Sequence, residues 1–208
     1  MKLFFAPGTC SLSCKILLLE AGAKFELEKV DIRAKKYSGG DFRQVNPKGS
    51  VPVLQLDNGE ILTEGAVIAQ YIASTNPEAG LMPKAGSMDY FRAQEWLNYV
   101  SSEVHKSFSV LFGADRMVAD STGNQQLKAA MKEAIGVKLG YLSERLKDKT
   151  FLMGEQFTAP DAYLYTCLRW SPHFAIDLAQ WPVIHKFMTS VAGRPSVQEA
   201  VTSEGGKI

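Results

Sequence analysis

The residue type and placement that first suggest chemistry belong to Cys10. It follows Ala6-Pro7-Gly8-Thr9 and opens a stretch in which Leu12, Ile16 and Leu19 recur at helical spacing. A thiol at a helix start feels the positive end of the macrodipole and nearby backbone N–H groups. Both stabilise the thiolate and pull the pKa below the ~8.5 of a free cysteine. Ser11 beside it can donate a hydrogen bond to a sulfur bound there. The same position also suits a small residue that only fills a tight strand-to-helix turn. Cys14 lies four residues on, whereas a dithiol redox centre favours Cys-x-x-Cys with both sulfurs at one helix end. Cys14 therefore reads as a structural residue one turn into the helix.

Four further groups of residues invite a reading. Val51-Pro52 places a proline where a strand would lose a ladder donor, so it belongs at a strand start or edge. If that bond is cis, the Val51 N–H and C=O are free to pair with a peptide-like ligand; a trans proline opening a strand fits the same residues. Thr63-Glu64-Gly65 precedes another helical pattern, where exposed N–H groups can hold a carboxylate and Glu64 an ammonium. An ordinary helix cap would look the same. Between 88 and 112, Leu97, Val100, Val104, Phe108 and Leu111 form an apolar stripe, while Asn98, Ser102 and His105 share a polar face at i, i+4 and i+7. That face can line a cleft or meet solvent. Finally, Phe157-Thr158-Ala159-Pro160-Asp161-Ala162 carries a capping pattern with proline in the first turn, a structural role. His173 and His185 form no ligand spacing with His105, and no metal site is expected.

The elements that must position these residues follow from the patterning. Residues 2–6 read as a buried strand closed by Pro7-Gly8, followed by a helix from Thr9-Cys10-Ser11 to Gly22 and a strand over 25–32. This βαβ unit should cross over right-handed. Residues 33–50 are polar, with one helical turn near 41–45. Then 51–56 and 60–63 flank Asp57-Asn58-Gly59, a hairpin signal, and a helix follows over 64–73 with Val67, Ile68, Tyr71 and Ile72 inward. Residues 75–87 hold prolines and glycines without periodicity, which predicts a linker between a domain over 1–74 and an all-helical domain over 88–208. Helices are expected at about 88–112, 124–147, 160–171, 182–192 and 197–203.

Composition excludes several classes. The chain has 208 residues, 46% hydrophobic and 22% charged, enough apolar material for a folded core and far from a disordered composition. Twenty-three basic residues against 22 acidic give a net charge of +1, and the densest basic group, Arg33, Lys35 and Lys36, stands alone. Neither nucleic acid nor an anionic membrane is an expected partner. The first residues lack a signal-peptide pattern and no apolar run approaches the ~20 residues that span a bilayer, so a cytoplasmic location is expected. Three cysteines, Cys10, Cys14 and Cys167, cannot all pair and suit free thiols in a reducing compartment.

Taken together and in order, these stretches resemble the glutathione S-transferases, in particular the bacterial beta class. The resemblance is carried by Ala6-Pro7-Gly8-Thr9-Cys10-Ser11-Leu12-Ser13, Asn46-Pro47-Lys48-Gly49-Ser50-Val51-Pro52-Val53-Leu54 and Leu62-Thr63-Glu64-Gly65. To these are added Glu95-Trp96-Leu97-Asn98, Glu103-Val104-His105-Lys106 and the capping motif from Phe157 to Tyr163. It implies an α/β thioredoxin-like N-terminal domain that binds glutathione and an all-α C-terminal bundle that takes the second substrate. It implies that Cys10 contacts, and can form a mixed disulfide with, the glutathione sulfur, with Ser11 beside it. Pro52 would be cis, Val51 would pair with the cysteinyl part, Glu64 and Gly65 would hold the γ-glutamyl end, and Lys35 would lie near the glycyl carboxylate. Asn98, Ser102, Glu103, Val104, His105 and Lys106 would complete the site, partly from a second subunit of a homodimer, with His105 and Lys106 close to the sulfur. Cys14 departs from the pattern, where a non-thiol residue is expected.

The expected activity is conjugation of the glutathione thiol to small apolar electrophiles in detoxification. Glutathione serves as a substrate, no metal takes part, and Cys10 and His105 are the catalytic candidates. Phe108, Phe112 and Trp170 are candidates for an apolar cleft, although aromatics on helices also serve as core. A glutathione-dependent disulfide reductase working through Cys10 and a non-catalytic interaction protein are the alternatives.

Overall fold

The apolar residues after Met1 form β1 (Lys2–Phe5), whose Leu3, Phe4 and Phe5 are buried. It leads into α1 (Ser11–Glu20), which is buried from Ser11 through Leu18. The computed structural model describes residues 1–207. β2 (Glu26–Lys29) pairs parallel to β1 with Leu3 opposite Leu27, completing the expected βαβ unit. β5 (Val53–Gln55) pairs antiparallel on the other side of β1, and β6 (Ile61–Thr63) pairs antiparallel to β5, giving the order β2-β1-β5-β6. Between β2 and β5 runs a small hairpin, β3 (Lys36–Tyr37) and β4 (Gly40–Asp41), within the stretch read from sequence as polar loop. A single 3₁₀ turn over Phe42–Gln44 follows, where one helical turn was expected. Phe42 joins Phe4, Val30 and Val53 in a core cluster, which is what fixes this otherwise polar stretch onto the sheet.

The β5–β6 turn uses all of Asp57-Asn58-Gly59. The Gly59 N–H donates to the Leu56 carbonyl at 2.9 Å, and Gly59 takes φ 88°, a left-handed position that glycine reaches without steric cost. α2 (Gly65–Thr75) then turns Ile68, Ala69, Ile72 and Ala73 inward; Val67, expected among them, is 45% exposed.

The chain forms two compact units: Met1–Tyr90 with residues 192–207, and Phe91–Val191. The end of the chain thus belongs with the first unit, whereas the sequence reading grouped 88–208. A charge at the end of α1 accounts for this. Glu20 places a carboxylate at the negative end of the α1 dipole, an unfavourable position alone. Arg194 answers it with a two-point contact, Nε at 2.6 Å and Nη2 at 2.7 Å, and the Ser196 hydroxyl adds a third donor. Burial alone would raise the Glu20 carboxyl, but these donors outweigh it and hold it below the usual carboxylate range. α8 (Pro195–Thr202) therefore packs on α1.

In the second unit α3 (Met88–Tyr99) runs into one π-helical turn over Val100–His105 and then α4 (Lys106–Met117). α5 (Ser121–Leu146), α6 (Ala159–Leu168) and α7 (Pro182–Ala192) follow. All ten residues of α6 are buried, so the amide donors at its start need internal partners. Asp161 ties that start to the chain before it: Oδ2 accepts from the Thr158 N–H and hydroxyl, and Oδ1 from the Leu152 N–H, each at 2.8 Å. This is the capping role expected from sequence. Among the described residues no helix is long and apolar enough to cross a membrane.

Replacing Asp161 by Ala removes a cap worth about 1 kcal/mol and strands the buried Leu152 N–H at a cost of about 2 kcal/mol. Urea unfolding should therefore show a loss of about 3 kcal/mol, and a loss under 1 kcal/mol would mean the box contributes little.

Candidate active site

The β1–α1 turn has five residues, 6–10, in which to bring a thiol to a helix start. Ala6 is its anchor. The Ala6 N–H donates to Ser11 Oγ at 3.2 Å, and the Ala6 carbonyl accepts from the hydroxyls of Thr9 (2.8 Å) and Ser11 (3.2 Å). Ser11 is wholly buried. Its hydroxyl is therefore committed to the turn and not aimed at a bound sulfur, contrary to the sequence expectation. Cys10, at the N-cap position of α1, is part-exposed, and its Sγ–H donates to the Val51 carbonyl at 3.4 Å.

The expected lowering of the Cys10 pKa is reversed. Burial pushes the thiol up to about 12; a backbone N–H works against this, and the nearby Glu64 charge adds to it. Cys14 is fully buried and also pushed up by burial, and its Sγ lies 3.8 Å from the Gly65 carbonyl. It is packing between α1 and the start of α2, as the spacing suggested.

The Val51–Pro52 peptide bond is cis, and Pro52 is buried at the entry to β5. The preceding loop is stapled by Asn46, a buried residue whose Nδ2 donates to the Ser50 carbonyl at 2.7 Å and whose Oδ1 accepts from the Lys48 N–H at 3.2 Å. Lys35, at φ 55°, extends its ammonium to the Gly49 carbonyl at 2.7 Å. A side chain at position 49 would come within 3.1 Å of the Lys35 stem, so glycine there keeps the approach open. Glu64 sits at φ 68°, an uncommon conformation for a residue with a Cβ, at the N-cap of α2. Its carboxylate does not cap the helix but pairs with Lys48, which also donates to Thr63 Oγ1 at 2.8 Å. The first unit thus links Cys10 with Val51-Pro52 and with Glu64-Gly65, and ties Lys35 to the loop that precedes Pro52.

In the second unit, the π turn replaces the continuous α-helix that the single polar face assumed. Ser107 Oγ donates to the Glu103 carbonyl at 2.7 Å and Ser109 Oγ to the His105 carbonyl at 3.0 Å, serving carbonyls at the wider turn. The altered angular spacing leaves Asn98, Ser102, Glu103 and Lys106 exposed, with Glu103 paired to Lys138 at 3.1 Å. Val104 is 2% exposed and belongs to the core, so its side chain offers nothing to a ligand. His105 is half-buried, its Nδ1 2.7 Å from the Tyr163 hydroxyl and its ring 5.0 Å from Trp170. Burial, aided by the Lys106 charge, pushes its pKa down, so the imidazole is neutral at pH 7.

Phe108 is buried, whereas Phe112 is 47% exposed and makes aromatic contacts with Trp170, His173 and Phe174. Asn46, Lys48 and Tyr163 were not singled out from sequence for these roles. Asn46 and Lys48 lie within the motif around Pro52. Tyr163 is 58 residues from His105 and carried no signal of that contact. Among the described residues no three His, Cys, Asp or Glu side chains cluster as a metal site would require.

A thiol at about 12 is almost wholly protonated near neutrality, and the thiolate is the form that alkylates. Iodoacetamide should therefore label Cys10 at pH 8 on the order of 10³-fold more slowly than free cysteine, with the rate rising about tenfold per pH unit. Labelling as fast as free cysteine would show that the Cys10 thiol ionises as readily as a free one.

Residues 8–75 match the glutathione S-transferase N-terminal domain and residues 94–195 the C-terminal domain of the same family. The chain is 41% identical over its whole length to glutathione S-transferase GstA of Escherichia coli O157:H7, covering all of that protein. Among solved structures, BphK, a bacterial glutathione S-transferase in a ternary complex, superposes with TM-score 0.92 at 43% identity, covering 99% of this chain and 100% of that one. The beta-class enzyme of Sphingomonas chungbukensis superposes with TM-score 0.91 at 40% identity over 99% of each chain. A sphingomonad glutathione S-transferase solved with glutathione gives TM-score 0.91 at 42% identity, again over 99% of each chain. With both domains matched and a full-length relative above 40% identity, the chain belongs to the glutathione S-transferase family and has its fold.

Proposed function

We propose that this protein is a glutathione transferase that adds the glutathione thiol to small apolar electrophiles, with Cys10 acting as a neutral hydrogen-bond donor. The observation that carries the reading is the Cys10 Sγ, 3.4 Å from the Val51 carbonyl beside the cis Pro52. Glutathione must ionise at its own sulfur before it attacks an electrophile, and a neutral S–H can turn toward the resulting thiolate. In this assignment the Val51 backbone pairs with the cysteinyl unit. The start of α2 at Gly65 takes the γ-glutamyl carboxylate, Glu64 takes its ammonium, and Lys35 takes the glycyl carboxylate. Ser11 contributes by fixing the turn.

The same reading gives Asn98, Ser102, Glu103, Val104, His105 and Lys106 a part in glutathione binding, with Val104 acting through its backbone. Some of them serve a partner subunit of a homodimer. His105 Nδ1 lies 2.7 Å from the Tyr163 hydroxyl, and in the tautomer in which that hydroxyl is the donor, Nε2 carries the proton and can donate to an anion. The α/β unit is the glutathione-binding domain and the helical unit the electrophile-binding domain, where part-exposed Phe112 and Trp170 offer apolar surface. Detoxification in the cytoplasm is the fitting cellular setting. Exchange through a mixed disulfide at Cys10 has less support, because a protonated thiol attacks a disulfide poorly.

Conjugation of glutathione to chlorodinitrobenzene tests the reading. Wild type should turn over well above the uncatalysed rate, and Cys10→Ala should lower kcat/KM about tenfold, the scale of losing one hydrogen-bond donor to an anion. No catalysis by wild type would overturn the proposal. A Cys10→Ala variant reduced to the uncatalysed rate would show that Cys10 contributes more than a single hydrogen bond.

A further inference from the structure

We propose that Glu204, near the end of the chain, is a positioning residue for the active-site thiol, acting through the Gly8 amide. Glu204 is 4% exposed at its side chain, and its Oε2 accepts from the Gly8 N–H at 3.1 Å. Gly8 lies two residues before Cys10 and takes φ 74°, in the turn that Ala6, Thr9 and Ser11 hold from the other side. The other carboxylate oxygen lies 3.7 Å from the ammonium of Lys15, which is 2% exposed. Lys15 is on α1, one turn past Cys10, and its ammonium also lies 5.2 Å from the centre of the Phe5 ring at the end of β1.

One carboxylate therefore touches the turn that carries the thiol, while its counter-ion sits on the helix that the thiol begins. Both charges are withdrawn from water at a separation of 3.7 Å, so removing either one would leave the other buried without its counter-ion. The charges facing Lys15 are those of Glu204 and, more distantly, Glu199; the groups coupled to Cys10 are Glu64 and Cys14. Arg194 and Ser196 on Glu20 hold the same arm onto the far end of α1, so the arm is fixed at both ends of that helix. The function of this arrangement is to keep the turn closed and the Cys10 Sγ–H against the Val51 carbonyl.

This inference rests on Cys10 being the glutathione-facing thiol, yet its test does not need catalysis. In Glu204→Ala the turn is released, and Cys10 alkylation by iodoacetamide at pH 8 should rise at least tenfold, read by mass spectrometry on the Cys10 peptide. Buried Cys14 and Cys167 should stay unlabelled, which reports an intact fold. Glu204→Gln keeps an acceptor for the Gly8 N–H and should stay within about threefold of wild type. Combining Glu204→Ala with Lys15→Met, which removes the stranded cation, should remain fast.

A wild-type rate in Glu204→Ala would overturn the proposal. So would equal acceleration in the Gln variant, or a return to the wild-type rate in the double variant, which would assign the effect to charge alone. In wild type itself the Gly8 amide should exchange with deuterium at least about 100-fold more slowly than in an unstructured peptide. A freely exchanging amide overturns the proposal even if the Ala variant fails to fold. Where conjugation is measurable, Glu204→Ala should raise KM for glutathione more than it lowers kcat.

Discussion

The first unit depends on how a buried strand hands over to a buried helix within five residues. Phe5 and Leu12 are both in the core, so the backbone groups between them cannot all turn to water and must find partners inside. Ser11 and Thr9 hydroxyls meet Ala6, and Gly8 adopts the left-handed conformation that closes the turn and meets Glu204. Once these commitments are made, the Cys10 side chain is the one left facing Val51. The thiol is positioned by neighbours whose own hydrogen bonds are spent on the turn, which is why a hydroxyl beside a thiol need not be its partner.

Burial also decides the state of the thiol. A helix N-terminus is worth at most about 2 kcal/mol to a negative charge, little more than one pKa unit, and only in favourable geometry. Desolvation of a buried ionisable group can shift a pKa by 3–5 units in the opposite direction. At Cys10 the second effect wins, and the Glu64 carboxylate adds to it despite its pairing with Lys48. His105 obeys the same rule with the opposite sign. Burial disfavours its charged form and, with Lys106 beside it, leaves the imidazole neutral.

What the sequence disclosed follows from which interactions are local. Strand and helix order, the Asp57-Asn58-Gly59 hairpin and the box at Thr158 and Asp161 depend on residues a few positions apart, and they were legible. The β3–β4 hairpin was not, because Lys36, Tyr37, Gly40 and Asp41 carry no alternating pattern, and the stretch is anchored by Phe42, with Tyr37 and Val45 beside it, on residues distant in sequence. The return of residues 192–207 to α1 was hidden because it turns on Glu20 and Arg194, which are 174 positions apart. The π turn escaped because Val100 to His105 fit an α-helical stripe as well as a wider one. Of the candidate site, the motifs around Cys10, Pro52, Glu64 and His105 stand out in the sequence by residue type and spacing. Their protonation states do not, since burial is a property of the assembled chain.

Neutrality at Cys10 is consistent with the proposed chemistry rather than an obstacle to it. A Cys10 thiolate beside a glutathione thiolate would place two like charges within a few ångströms, and one of them would take up a proton. A protonated Cys10 adds no such repulsion and offers a donor that strengthens as the neighbouring sulfur becomes anionic. A neutral imidazole also offers one N–H donor without a positive charge of its own. Donors of this kind bind a neutral thiol weakly and a thiolate strongly. They therefore lower the cost of ionising glutathione without first creating an anion of their own.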